Sequence, residues 1–290
     1  MKTRLTAKKA AAQKAGFFGL RAAVGLVLAV IVFILADIGS KGAGTITWEF
    51  LSKPPRHGMT EGGIFPAIFG TLLVTVITAI LAVPLGMGAA IYLNEYAPKN
   101  RLTRLIRLSI RNLSGVPSIV YGLFGVILFV NLCKFGTSVL SAGLTLGLLT
   151  LPWTITASEE ALKTVPNSFR EGALALGASK WQSIRTNVLP YALPGMLTGT
   201  VLGLARAAGE TAPIMFTGAA FALPILPHSL RDQFMALPYH LYIMATQHHD
   251  IAKARPLAYG TALVLIVLVL GLNLGAIILR YRLRRRHKRY

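Results

Sequence analysis

The chain has 290 residues, of which 54% are hydrophobic and only 14% charged, with a mean hydropathy of +0.60. Soluble domains carry roughly 25% charged residues, so a soluble fold is excluded and an integral membrane protein is expected. The net charge of +20 falls in short blocks between apolar runs, which reads as a topology signal and not as a nucleic-acid surface, and the single cysteine, Cys133, excludes an intrachain disulfide and a cysteine-cluster metal site.

Six apolar runs are long enough, at about 20 residues each, to cross a hydrocarbon core of about 30 Å. They are 17–38, 64–93, 115–132, 138–157, 193–223 and 256–279. Helices are expected, because a lipid-exposed backbone must satisfy its own hydrogen bonds. The first run follows Lys2, Arg4, Lys8, Lys9 and Lys14, as a signal peptide would, but it is longer than such a segment. An uncleaved helix is therefore expected. Most lysines and arginines lie in 1–21, 94–112, 159–192 and 280–290, which puts both termini in the cytoplasm by the positive-inside rule.

In chain order, Pro84, Gly86 and Gly88 in the second run predict a kink or a close helix approach. Arg101, Arg104, Arg107 and Arg111 then alternate with Leu102, Leu105, Ile106 and Leu108, the pattern of an amphipathic basic helix on the inner leaflet, with membrane lipids as its partner. Ser114, Gly115, Val116, Pro117 and Ser118 open the third run. They read as helix capping, or, with Arg111, Ser114 and Ser118, as a contact for an anion. After Glu159 and Glu160, the stretch Glu171–Leu176 predicts a short helix, Gly177 a reversal, and Trp181–Val188 a second helix ending at Pro190. Gly172 and Gly177 have the spacing of a phosphate-binding loop, but Ala178, ahead of Ser179, stands where the lysine is needed. No nucleotide or other cofactor is expected in this chain.

The order Glu171, Ala173, Gly177, Leu189, Pro190 resembles the EAA loop of bacterial ABC importer permeases, with Gly172 where that family usually has Ala and Asn187 where it usually has an aliphatic residue. The resemblance implies an all-α integral membrane fold of six transmembrane helices of the type I (MetI-like) importer class, in which this loop docks on a separate ATPase. It divides the chain into a basic cytoplasmic N-terminus (1–16), a first transmembrane helix (17–39), a permease core of five helices (64–280) with the coupling loop at 159–192, and a basic tail (281–290). The strings LARAAGETAPIMFTG and RNLSGVPSIVYGLFG are similar to the phosphate transport system permeases, and Glu210-Thr211-Ala212-Pro213 to the PstA family more than to the PstC family. This implies a PstC-like second permease subunit, a PstB-like ATPase dimer and a PstS-like phosphate-binding protein as partners.

The residues support this independently. Charged groups inside a span cost about 2.5–3.5 kcal/mol each on insertion scales, so Arg206 and Glu210, four apart, are expected to face a cavity or one another. They read as a structural pair or as a substrate pathway with Thr211, and with Thr217 on the same face. Gly203, Ala205, Ala207, Ala208 and Gly209 leave space, and a guanidinium forks onto phosphate oxygens. His248, His249 and Asp250 read more readily as part of a receptor surface for a binding protein than as a metal site, and the tail from Arg280 as a lipid anchor. The alternatives are a permease for another oxyanion or an organic phosphate, and a membrane enzyme or sensor with a structural Arg–Glu pair. Against an enzyme, neither HExxH nor GxSxG occurs.

Overall fold

The computed structural model describes residues 2–287; Met1 and the end of the basic tail, 288–290, lie outside the described residues, as do the side chains of 2–8, 10, 11, 276, 279 and 283–287. The protein is built of helices, with one small β-hairpin, β1 (Pro55–Arg56) and β2 (Glu61–Gly62), at one end. The first helix, α1, runs Lys2–Gly42 and is followed by a short α2, Trp48–Ser52. Helix α3 spans Phe65–Ile91 and passes through a π turn, Tyr92–Tyr96, into α4, Arg101–Leu113. Helix α5, Ser118–Gly125, continues as a π segment to Leu132, and α6 covers Val139–Lys163. Then come α7 (Asn167–Ala175), α8 (Lys180–Ser183), α9 (Leu189–Ala207), α10 (Ala212–Thr217), α11 (Leu237–Thr246) and α12 (Ile251–His287).

Among the described residues, five stretches are long and apolar enough to cross a membrane: Ala12–Thr45, Phe65–Tyr96, Val139–Lys163, Lys180–Ala207 and Ile251–Arg282. A sixth is the bent pair Arg101–Leu113 and Ser118–Leu132, whose axes meet at 101°. The bend follows from Gly115 and Pro117, since Pro117 can start a helix but not continue one. It lays α4 across the bundle end while α5 runs along the bundle.

The core forms where three helices meet. α3 and α6 run parallel, and α9 returns antiparallel to α6. Gly195, Gly199 and Gly203 recur every fourth residue on α9 and face Ala161, Ala157 and Trp153 of α6. A side chain at Gly199 would overlap the Ala157 methyl, so this small-residue face is what lets the two backbones approach. Gly86 likewise faces Thr154, whereas Gly88 meets open space and α3 continues through Pro84 to Ile91. Buried hydroxyls of Thr71, Thr75, Thr145, Thr150 and Thr200 bond the carbonyl four residues back, so none leaves an orphaned group in the core.

Two sequence-based boundaries are corrected. The run 193–223 is not one helix: it breaks after Ala207, resumes as α10 and ends at Thr217, because the backbone from Gly218 onward pairs with Phe234. The second loop helix does not end at Pro190. From Lys180 it passes through a π turn, Ile184–Val188, directly into α9. Proline has no N–H to give, and the wider π turn, closed by the Leu189 N–H on the Ile184 carbonyl, carries the helix past it.

Candidate functional site

The break between α9 and α10 is the site at which charge enters the bundle. Arg206 sits in the last turn of α9, and the chain leaves the helix at Ala208. The Gly209 N–H returns to the Arg206 carbonyl at 3.0 Å and the Glu210 N–H to the Ala207 carbonyl at 3.1 Å. This turn, not a shared helix face, brings the two side chains together, with Arg206 Nε 3.6 Å from Glu210 Oε1. The Arg206 guanidinium lies over the Trp153 ring, 5.0 Å from its centroid. Trp153 is about 21 Å along α6 from Val139 and about 15 Å from Lys163, at about 1.5 Å per residue. The pair is therefore near the middle of the span.

The Arg206 side chain is 54% exposed and Glu210 16%. Thr211 is half-buried beside them. Thr217 does not share their surface: it is fully buried, and its hydroxyl donates to the Pro213 carbonyl at 2.8 Å. Nor do the small residues leave a void. Gly203, Ala205, Ala207 and Ala208 are buried packing positions, with Gly203 facing Trp153, and only Arg206 and Gly209 are exposed. A half-exposed guanidinium at this depth is costly in lipid and must face another protein surface or a polar passage.

At the far end of α9, helix α7 and the turn after it project from the bundle. Gly177, with φ of +82°, reverses the chain in a conformation that side chains disfavour. Ser179 then caps the next helix, its Oγ accepting from the Gln182 N–H while Gln182 Oε1 accepts from the Ser179 N–H. Glu171 and Gly172 are exposed, Ala173 is half-buried, and Leu176 at the tip is 90% exposed. Leu189 and Pro190 lie in the helix stem, half-buried, with Leu189 packed on the cluster of Leu162, Val188 and Met196. The tip and the stem are thus separate parts of the expected loop.

Two ion pairs whose partners pattern reading did not join hold this loop and α4 to the spans. Glu95, at the end of the α3 span, takes Arg170 of α7 in a two-pronged pair: Nη2 to Oε1 at 2.7 Å and Nε to Oε2 at 3.1 Å. Arg170 also donates to the carbonyls of Val165 and Leu162, and Asn94 donates to Glu95. Arg107 of α4 lies 2.8 Å from the buried Glu159 of α6, in charge contact but bent out of line for a hydrogen bond, and its Nη2 donates to the Leu93 carbonyl at 2.6 Å. Acids that close apolar runs, Glu95 and Glu159, are the signal that could have found them. Their partners are remote in sequence and carry no local mark.

Arg111 is exposed on α4 and does not join Ser114 and Ser118. The Ser114 hydroxyl is turned to the Ile110 carbonyl at 3.4 Å, and Ser118 forms the first turn of α5. At the hairpin end, His248 is consumed by structure. Its Nδ1 accepts from the Asp250 N–H at 3.1 Å, so Nε2 carries the proton and donates to the Gly58 carbonyl at 2.7 Å. His249 stacks on it, 4.5 Å away, and Asp250 caps α12 through the Lys253 N–H. Nearby, burial pushes the His240 imidazole down to about 4, which keeps it uncharged.

The profile of the binding-protein-dependent transport system inner membrane component family matches residues 82–289. The chain is 37% identical over 267 residues to the phosphate transport system permease protein PstA 1 of Mycobacterium tuberculosis (strain ATCC 25618 / H37Rv), covering 91% of this chain and 85% of that one. It is 33% identical over 273 residues to the probable ABC transporter permease protein YqgI of Bacillus subtilis (strain 168), covering 90% and 92%. Among solved structures, the inward-facing MetNI methionine ABC transporter superposes with a TM-score of 0.61 at 18% identity, over 75% of this chain and 94% of that one.

Proposed function

The chain belongs to the binding-protein-dependent transport system inner membrane components, and we propose that it is the PstA-type permease of an ATP-driven phosphate importer. Its fold is that of the MetI-like importer permeases, and it is a transporter subunit, not an enzyme. The family implies a solute-binding protein, an ATPase and a second permease subunit as partners. In the proposed assembly these are PstS-like, PstB-like and PstC-like, and this chain supplies half of the passage. Both termini, α4 and the α7 turn face the cytoplasm, and the β-hairpin end faces outward. ATP is hydrolysed on the partner ATPase.

The observation that carries the reading is Arg206, half-exposed at mid-depth where α9 breaks. Its Nε faces Glu210, and the terminal nitrogens remain for an oxyanion, which a guanidinium binds through paired N–H groups. Glu210 sets the choice of anion. Hydrogen phosphate keeps a proton to donate to the carboxylate, whereas sulfate has none and meets only repulsion. Glu171, Gly172, Ala173 and Gly177 form the docking tip for the ATPase, and Leu189 and Pro190 the stem that carries its motion into α9. Arg206, Glu210 and Thr211 line the passage.

The test is ATP-driven uptake of labelled phosphate in vesicles holding the whole complex, with Arg206→Gln at matched expression. Uptake is expected to fall at least tenfold with the complex intact and the ATPase bound. Unchanged uptake would return the Arg206–Glu210 pair to a structural role.

A further inference from the structure

Helix α4 has three faces with different chemistry. Thr103, Arg107 and Ile110 turn toward the bundle, with Thr103 buried. Leu102, Leu105, Ile106 and Leu113 are exposed on a second face, the one that an in-plane helix lays on lipid. Arg104 and Arg111 lie roughly opposite those leucines at 3.6 residues per turn, so they point away from the bilayer. With Lys99, Asn100, Thr103, Arg107 and Leu108 they line a groove of about 330 Å³.

The groove's electrostatics are one-sided. Four cationic side chains line it, Lys99, Arg104, Arg107 and Arg111, and no acid does. The acid that reaches it is Glu159, behind Arg107 and on its Nε side, while Arg107 Nη2 is held by the Leu93 carbonyl. Arg107 Nη1 is left for the groove. Asn100 has its side-chain oxygen committed to the Thr103 N–H at 2.8 Å, so what it can offer a ligand is its amide N–H groups. Everything polar here donates, and the volume is about ten times the roughly 30 Å³ share of one water, room for a tetrahedral oxyanion with its solvent.

We propose that this groove is a second inorganic phosphate site, distinct from Arg206 and opening to the compartment that receives the cargo. The identity of the anion and the side of the membrane rest on the import reading above; the site itself rests on the four cations. A lipid headgroup carries the same phosphoryl chemistry, but the apolar face of α4 points the other way, which favours the free anion. One guanidinium, Arg107, is shared between this groove and the carboxylate of α6.

The experiment is equilibrium binding of labelled inorganic phosphate to the two permease subunits with their ATPase, without the binding protein, in phosphatidylcholine nanodiscs at low salt. All variants are made in an Arg206→Gln background, so the passage site is silent. Saturable binding is expected to persist in that background and to weaken at least tenfold, about 1.4 kcal/mol, in Arg104→Gln/Arg111→Gln. Arg101→Gln, outside the groove lining, is the control and is expected to bind as its parent does. Equal binding with and without Arg104 and Arg111 overturns the proposal. So does an outcome in which phosphate fails to bind and the two arginines instead govern retention of phosphatidylglycerol. Failure of the import reading shows separately, as absent uptake by the unmutated complex.

Discussion

At the scale of single residues, the charge pair gains its meaning from what separates it. Arg206 and Glu210 are four apart, but the helix ends between them, so each is held by a different backbone geometry and they meet at 3.6 Å without closing a hydrogen bond. A loosely engaged pair can exchange partners with an incoming anion. Glu210→Gln removes the carboxylate that a protonated oxyanion would address and keeps the shape. We expect sulfate to compete with labelled phosphate uptake in that variant, with selectivity falling roughly ten- to hundredfold, as loss of a charged hydrogen bond of about 1.5–3 kcal/mol implies. Selectivity that does not move would remove Glu210 from anion choice. The pair was legible in the sequence because two charges interrupt an apolar run. Trp153 beneath the guanidinium was not, since a tryptophan within a span is unremarkable until the α6–α9 packing places it.

At the scale of elements, the loop between α6 and α9 is a projecting tip on a clamped base. Leu176 offers a bare apolar side chain at the tip, which has few intramolecular contacts to lose. Leu176→Asp is expected to leave folding of the chain unchanged and to abolish copurification of the ATPase; full copurification would move docking elsewhere. The clamp is Glu95–Arg170, whose side chains are 6% and 20% exposed. Glu95→Gln leaves a partly buried guanidinium without its counter-charge, a loss of about 3 kcal/mol. The double variant Glu95→Gln/Arg170→Met should recover much of that in thermal unfolding of the purified chain. Additive losses would show that the two residues act separately. Length and polarity made the spans readable, as apolar runs near 20 residues do. The clamp was unreadable, because 75 residues separate its partners. The α9–α10 break was obscured by an Ala- and Gly-rich stretch whose apolar character continues to Leu223 while its helix does not.

At the scale of the whole molecule, the exposed surface divides into a lipid-facing belt and two ends of opposite character. The end that carries α4 and α7 is rich in arginine and lysine, and the end that carries β1 and β2 holds few. The chain carries its own probe of that polarity. Cys133 is the sole cysteine, exposed next to Lys134 at the turn between α5 and α6. In intact cells stripped of outer barriers, a membrane-impermeant maleimide is expected to label it from outside, with Cys133→Ser as the blank. Labelling that appears only in inverted vesicles would reverse the assigned orientation.

The helix that continues past Pro190 has a mechanical consequence. Lys180 and Arg206 belong to a single rod about 39 Å long, interrupted only by the π turn at Ile184–Val188. In the proposed transport cycle such a rod would serve as a lever arm that pivots beside the clamp and carries the charged break at its far end. A rocking of about 5° at the fulcrum sweeps the Arg206 end through about 3 Å, roughly the reach of one hydrogen bond, at a rise of about 1.5 Å per residue. A stroke of that size is enough to hand an anion from one set of donors to the next.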